Sequence, residues 1–436
     1  MRNTVTKLLG ATALSAAATV SFAQETTLTI ATVNNGDMVR MQELAGDFTA
    51  ANPDIALEWV TLEENILRQR VTTDIATKGG QYDVMTIGTY EVPIWGKQGW
   101  LTSLNDLPES WDKDDILPAI AGGLTVDGEL YAAPFYGESS MVMYRKDLMA
   151  AAGLEMPDAP TWDFIREAAA AMTNKDGEIY GICLRGKAGW GENMAFLSAM
   201  NNSFGGKWFD EEWNAQFDGD AWKNTLTFYV DMLNESGPPG VSNNGFNENL
   251  TLFQTGKCGM WIDATVAASF VTNPDDSQVA DQVGFALAPD AGLGKRGNWL
   301  WAWSLAIPTS TDSPEAAKKF VEWATSKEYT ALVAENEGWA NVPPGTRTSL
   351  YENANYMDVP FAKMTLESIN SADPTNPSVD PVPYTGVQFV AIPEFQGIAT
   401  AVGQQFSAAL AGTTSIEDAL ANAQELTVNE MEDAGY

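Results

Sequence analysis

The chain has 436 residues, 45% of them hydrophobic, with 58 acidic against 24 basic side chains and a formal charge of −34. That length suits two or three domains with sizeable cores, and that charge excludes nucleic acid and anionic membrane surfaces as partners, whose phosphates repel it. Histidine is absent, which removes Ser-His-Asp and Cys-His catalysis and the commonest metal ligand. A metal site would need carboxylates or the two distant cysteines, Cys183 and Cys258, which form either a disulfide or two buried thiols.

The opening carries Arg2 and Lys7, an apolar run over 8–20, and Ser21-Phe22-Ala23 before a cleavage point. Residues 1–23 therefore read as an export signal, with the mature chain starting at Gln24. A membrane anchor fits less well, because the run is short and rich in Ala, Ser and Thr. No Cys follows the cleavage point, so a lipid-modified N-terminus is not available, and no later segment approaches transmembrane length. The product is expected to be soluble and exported. A strand is predicted over 26–33, ending at Asn34-Asn35-Gly36-Asp37, and then one helix with Met38, Met41, Leu44, Ala45 and Phe48 on one face, stopping at Asn52-Pro53. A second strand over 55–60, a helix over 66–76 and a third strand over 82–87 follow. Strand and helix alternating at this spacing make a parallel sheet with crossover helices. Ligands of such sheets gather at the carboxyl ends of the strands, here 34–37, 63–65 and 89–91.

Residues 134–148 organise the middle of the chain: a loop with Pro134, Gly137 and the acid Glu138 opens into the short apolar strand 141–144. The spacing places a carboxylate at a strand entrance beside a hinge-like turn, where one α/β lobe passes into another. In the second lobe Thr161 caps a helix with its core at 164–172, and a strand over 179–184 ends in a loop, 185–193, holding Arg185, Trp190 and Glu192. A helix is predicted over 221–234, and a strand over 259–262 terminates at Asp263. After a Gly-rich turn at 289–297, a strand over 298–308 carries Trp299, Trp301 and Trp303 in alternation, and so on one face. A helix with Phe320 and Trp323, a loop with Trp339 and Asn341, a polar loop over 373–385 and two closing helices complete the chain.

Two nucleotide-binding patterns are rejected. Residues 181–188 match a phosphate loop except that Ala188 replaces the magnesium-holding hydroxyl. Gly292-x-Gly294-x-x-Gly297 precedes a Trp-rich strand rather than the helix that a pyrophosphate needs. The acids Glu63, Glu64, Glu91, Glu138, Glu192 and Asp263 admit a glycosidase pair. Glu138 and Asp263 adjoin buried strands, however, and read better as acceptors for hydroxyl groups, to which ionised carboxylates make short hydrogen bonds. The tryptophans of 299–303 are either core or a wall for the CH face of a carbohydrate. Trp190 and Trp339, in loops, are the stronger candidates, while Arg185 either forks to ligand oxygens or pairs with Glu192.

Several short patterns in order carry a resemblance: Leu28-Thr29-Ile30; Tyr82-Asp83-Val84; Gly128-x-Leu130-Tyr131-Ala132-Ala133-Pro134; Tyr144-Arg145-Lys146-Asp147-Leu148; Phe253-x-x-Gly256-Lys257-Cys258-Gly259-Met260; and Trp303 to Pro308 before Ser313-Pro314-Glu315-Ala316-Ala317. Across the mature chain these resemble the extracellular solute-binding proteins of the sugar-binding family 1, soluble receptors of ABC importers. Pro383 to Phe389 with Ile392-Pro393-Glu394-Phe395 resembles the branch that binds acyclic polyols such as sorbitol, mannitol or arabitol. The resemblance implies an α/β, two-lobed periplasmic binding protein fold with mixed sheets flanked by helices and three hinge crossings, near 135–138, 289–298 and 342–350. The lobes are expected at 24–136 with 297–345 and at 137–296 with 346–436. By resemblance the ligand contacts fall on Asn35, Asp37, Glu64 and Tyr90, on Glu138, on Arg185, Trp190 and Glu192, on Asp263, on Trp301 and Trp303, on Trp339 and Asn341, and on Gln388. The expectation is a monomeric periplasmic receptor for a polyol or sugar, without enzymatic activity, cofactor or metal, that serves a membrane permease. Alternatives are the same fold for a monosaccharide, small oligosaccharide or polyamine, and an exported carboxylate-dependent glycosidase.

Overall fold

The structure, a computed structural model, describes residues 26–436; the expected export signal lies outside them. The alternating opening run forms strand β1 (Thr26–Val33), buried from Ile30 onward because strands β2 (Ile55–Leu62) and β3 (Val84–Ile87) flank it in parallel. Six further strands follow: β4 (Ala132–Glu138), β5 (Ser140–Arg145), β6 (Tyr180–Cys183), β7 (Cys258–Ala264), β8 (Val283–Leu287) and β9 (Trp301–Ala306). They make two mixed sheets, ordered β2-β1-β3-β9-β4 and β8-β5-β7-β6, and a two-stranded ladder (Thr125–Val126 with Glu129–Leu130) sits beside the first. Helices cover both sheets, as burying strand faces on both sides requires. Among the described residues no helix is long and apolar enough to cross a membrane.

The chain passes between the sheets three times, and the crossings are stitched together. Strand β4 keeps to the first sheet as far as Glu138, so the first crossing is Ser139, two residues beyond the expected boundary at 136/137. The Ser139 hydroxyl donates to the Trp299 carbonyl at 2.6 Å and accepts from Asn298 Nδ2 at 3.1 Å, tying the first crossing to the second. Gly137 N donates to Pro344 O at 2.9 Å, bringing in the third. Gly345 has φ +69, and a Cβ there would lie 2.0 Å from the Gly137 carbonyl oxygen; only glycine fits this left-handed close approach. Residues 346–349 still bond to the first body, through Leu117 N to Thr346 O and Ser349 N to Asp115, beyond the expected boundary at 345/346.

Three local expectations differ from the structure. The helix after β1 is broken into Gly36–Leu44 and Gly46–Ala51, since Ala45 N turns back to Gln42 O and Gly46 is a poor helix former; Met38, Met41 and Phe48 stay buried. The next helix, Glu64–Thr77, starts two residues early because the Glu63 side chain caps it by accepting from Ile66 N. The Trp-rich strand begins only at Trp301: Asn298 and Leu300 are held by the side chains and backbone of Ser139, Ser368 and Gln388 and have no ladder partner.

Cys183 and Cys258 are joined as a disulfide between the neighbouring strands β6 and β7. Closing a separation of 75 residues restricts the unfolded chain and contributes about 4 kcal/mol by loop entropy. Reduction is therefore expected to lower the unfolding free energy by that order, measured as paired urea titrations with and without a thiol reductant; coincident curves would count against it.

Candidate functional site

The carboxyl ends of the first sheet and the loops of the second meet around a tight cavity of about 30 Å³. In the β4–β9 ladder Glu138 stands directly opposite Trp301, and Tyr136 opposite Trp303. Cross-strand partners share one face, so the register alone sets the acid against the indole. The Glu138 carboxylate is buried, with 6% of the residue exposed, lines the cavity and has no hydrogen-bond or ion-pair partner among the described residues. Burial pushes its pKa up to about 8; the charge of Arg185 opposes this, and those of Asp263 and Glu64 add to it.

A second layer is built on the helix Glu64–Thr77. Arg68, one turn after Glu64, donates from Nε and Nη2 to Glu64 Oε1 at 3.0 and 2.9 Å and from Nη1 to Glu91 Oε1 at 3.0 Å. Its guanidinium lies over the indoles of Trp190, Trp303 and Trp301, at 3.9, 4.6 and 4.8 Å from the ring centres, a cation–π stack removed from water. The charge of Arg68 is thus neutralised, and its side chain lines the cavity together with Trp299, Trp301 and Trp303. The indole nitrogens of Trp190 and Trp301 have no partner among the described residues.

From the second sheet, Arg185 donates through Nε and Nη2 to Asp263, at 3.0 and 2.7 Å, and through Nη1 to the Gly191 carbonyl at 2.9 Å. Asp263 also accepts from Trp261 Nε1 at 3.0 Å and from Ala264 N at 2.7 Å. Burial, the largest single influence, opposes the charge of Arg185, but Asp263, Glu192 and Glu64 together outweigh it and hold the guanidinium protonated. At the rim the loop after β6 docks on the first body: Lys187 pairs with Glu63, and Asn65 Nδ2 donates to Ala188 O at 3.2 Å. The cavity is therefore bounded by paired charges, with one unpaired carboxylate facing inward. No group of three or more His, Cys, Asp or Glu placed to hold a metal occurs among the described residues.

A family model described as bacterial extracellular solute-binding protein matches residues 34–331. The chain belongs to this family. A mannitol-binding protein of Pseudomonas aeruginosa is 57% identical over 410 residues, covering 94% of each chain. The crystal structure of an ABC transporter solute-binding protein from Agrobacterium vitis with bound D-mannitol superposes with a TM-score of 0.93 at 72% identity, over 94% of this chain and 99% of that one. A maltose-bound protein of T. maritima shares the fold, with a TM-score of 0.78 at 23% identity over 92% and 99% of the two chains. The two-lobed periplasmic binding protein architecture follows from these matches, and as a member of a receptor family this solute-binding protein is not an enzyme.

Of the residues expected to contact ligand, Asn35, Glu64, Glu138, Arg185, Trp190, Trp301, Trp303 and Gln388 line the cavity. Arg185 does so with its fork engaged by Asp263 rather than free, and it is also 3.5 Å from Glu192. Gln388 clamps the backbone of Leu300 through both amide atoms, at 3.3 and 2.8 Å. Asp263, which is 0% exposed, and Glu192 stand behind Arg185 as its counter-ions; burial and the charge of Glu64 raise the pKa of Glu192. Tyr90 packs beneath Trp190, with ring centres 4.8 Å apart, and donates its hydroxyl to Ile392 O at 3.0 Å. Asp37 pairs with Arg40, which also donates to Asn341; burial raises the Asp37 pKa against that pairing. None of Asp37, Tyr90, Glu192, Asp263, Trp339 or Asn341 lines the cavity. Arg68, Phe246 and Val266 line it without having been singled out; the i, i+4 spacing from Glu64 is the one sequence signal that points to Arg68. The Gly-rich turn at 292–297 spends its amides on Asp290, which accepts from the N–H groups of Gly292, Leu293 and Gly294.

Proposed function

We propose that this solute-binding protein captures an acyclic hexitol, mannitol first among them, in the periplasm and hands it to the permease of an ABC importer. The observation that carries the reading is the buried, unpartnered Glu138 carboxylate set against Trp301 in a cavity whose cations are already neutralised. An anionic ligand would meet that carboxylate, and a polyamine would find the indole faces taken by Arg68. A neutral polyol offers hydroxyl donors to Glu138 and hydroxyl acceptors to the Trp190 and Trp301 N–H groups. The mannitol named for the two close relatives supports the same choice. The two bodies act as lobes that part and close about the three stitched crossings.

A thermal-shift panel tests this reading. A ligand held only by the folded state stabilises it by about 2.7 kcal/mol at a hundredfold excess over Kd, so micromolar mannitol is expected to raise the melting temperature clearly. Monosaccharides and polyamines are expected to have little effect. Absence of a shift with any hexitol at millimolar concentration overturns the proposal.

A further inference from the structure

The start of the helix Glu64–Thr77, on the first body, and the loop after β6, on the second, meet along a continuous seam. At one end Lys187 pairs with Glu63. Next to it Asn65 Nδ2 donates to Ala188 O at 3.2 Å, and a Cβ on Gly189 would lie 2.4 Å from Asn65 Oδ1. At the other end a Cβ on Gly191 would lie 2.2 Å from Glu64 Oε1 and 2.8 Å from Arg68 Nε. Neither glycine has a left-handed φ, so what each provides is room for the facing body rather than a turn.

The seam runs from the surface to the site. The side chains of Lys187 and Glu63 are 29% and 35% exposed, Gly189 is buried, and at the inner end Gly191, Glu64 and Arg68 line the cavity. Each edge is also held within its own body. Glu63 caps its helix by accepting from Ile66 N, and Lys187 stands 3.6 Å from Glu192. Gly189 N donates to Asn193 Oδ1 at 3.2 Å, and Asn193 Nδ2 donates to Gly403 O at 2.8 Å. Both edges are therefore preformed, and parting the bodies breaks the Lys187–Glu63 and Asn65–Ala188 contacts while leaving these others in place.

We propose that this seam is the latch that sets how long a captured ligand is retained, with Gly189 and Lys187 as its positioning residues. Neither of the two lines the cavity. The inference rests on the polyol reading and on the closing of the two lobes. Ligand enters the parted form, in which the seam is not yet made, so the latch acts on release rather than on encounter. Glycine at 189 lets the loop approach closely enough for Asn65 to reach Ala188, and the Lys187–Glu63 pair ties the outer end of the seam.

The test is stopped-flow capture and release of mannitol, read from tryptophan fluorescence, in wild type, Gly189→Ala and Lys187→Met. The added methyl of Gly189→Ala displaces the Asn65 amide, and release is expected to be at least about tenfold faster, with the association rate within about threefold of wild type. Lys187→Met keeps the stem and removes the charge, and release is expected to be about threefold faster. Raising NaCl from about 0.05 M to about 0.5 M screens a part-exposed pair, so it should quicken release from wild type more than from Lys187→Met. Release from Gly189→Ala within about twofold of wild type overturns the latch, as does an equal loss in its association rate, which marks a damaged site. If Gly189→Ala does not fold, Lys187→Met decides: a release rate and salt slope both unchanged from wild type overturn the proposal. A wild type that captures no hexitol overturns the polyol reading instead. The latch is then judged on ligand-free protein by small-angle scattering, where an equal radius of gyration for wild type and Gly189→Ala overturns it.

Discussion

Glu138→Gln is expected to weaken mannitol binding by about a hundredfold to a thousandfold while the fold survives. A hydrogen bond to a charged acceptor contributes about 1.5–3 kcal/mol, so two from adjacent hydroxyls correspond to about two to four decades at about 1.4 kcal/mol per decade, and the amide oxygen, which still accepts, keeps the loss to the lower half of that span. The amide keeps the size of the side chain and removes its charge, so packing against Trp301 is unchanged. Ligand-free stability moves the other way. The Glu138 pKa is raised from 4.5 to about 8 by burial, so the native state holds a proton that the unfolded chain has released. That contribution is fully present below pH 4.5 and is lost as pH rises through about 8. The melting temperature of the ligand-free wild type is therefore expected to fall across this window more steeply than that of Glu138→Gln. Hydroxyl donors favour the ionised form, so mannitol binding below that pKa releases a proton, and affinity declines as pH falls. Buffers of different ionisation enthalpy read the proton directly in calorimetry. Mannitol affinity within threefold of wild type in Glu138→Gln would remove Glu138 from the site.

Arg185→Met is expected to carry the largest stability loss of any single change in the site, about 3–5 kcal/mol, because removing one partner of a buried ion pair strands the other. The stranded group is Asp263, with Glu192 and Glu64 close behind it. Arg185→Lys restores the charge and not the two-pronged contact, and should recover only part of the loss. In the double variant Arg185→Met/Asp263→Asn no buried carboxylate remains unpaired at that point, and urea titration should show much of the stability returning. Equal loss in the single and double variants would mean that the pairing is not what holds the loop after β6.

Strand positions and strand ends were legible from alternation and turn residues, which is why Glu138, Trp190 and Trp301 could be expected at a cleft from sequence, and all three line the cavity. What could not be read was direction. Asp37, Tyr90 and Asp263 do sit at strand ends, but each turns to a partner, Arg40, the Ile392 carbonyl or Arg185, that is fixed only by tertiary contacts. Arg68 lies on a helix whose periodicity marks no functional face, and its role depends on three indoles from distant parts of the chain. The pairing of Glu138 with Trp301 is a register between strands far apart in sequence, beyond the reach of local pattern. Trp299 falls outside the strand because side chains from three other segments hold its neighbours, and it reaches the cavity all the same.

The Cys183–Cys258 bridge stands two residues before Arg185, at the end of one strand, and five before Asp263 on the next. The covalent tie therefore fixes the relative height of Arg185, which lines the cavity, and of Asp263, the counter-ion behind it. In a reducing compartment that height is set by the β6–β7 ladder alone; in an oxidising one it is locked before any ligand arrives. The bond that stabilises the fold therefore also holds in place the ion pair behind the ligand cavity.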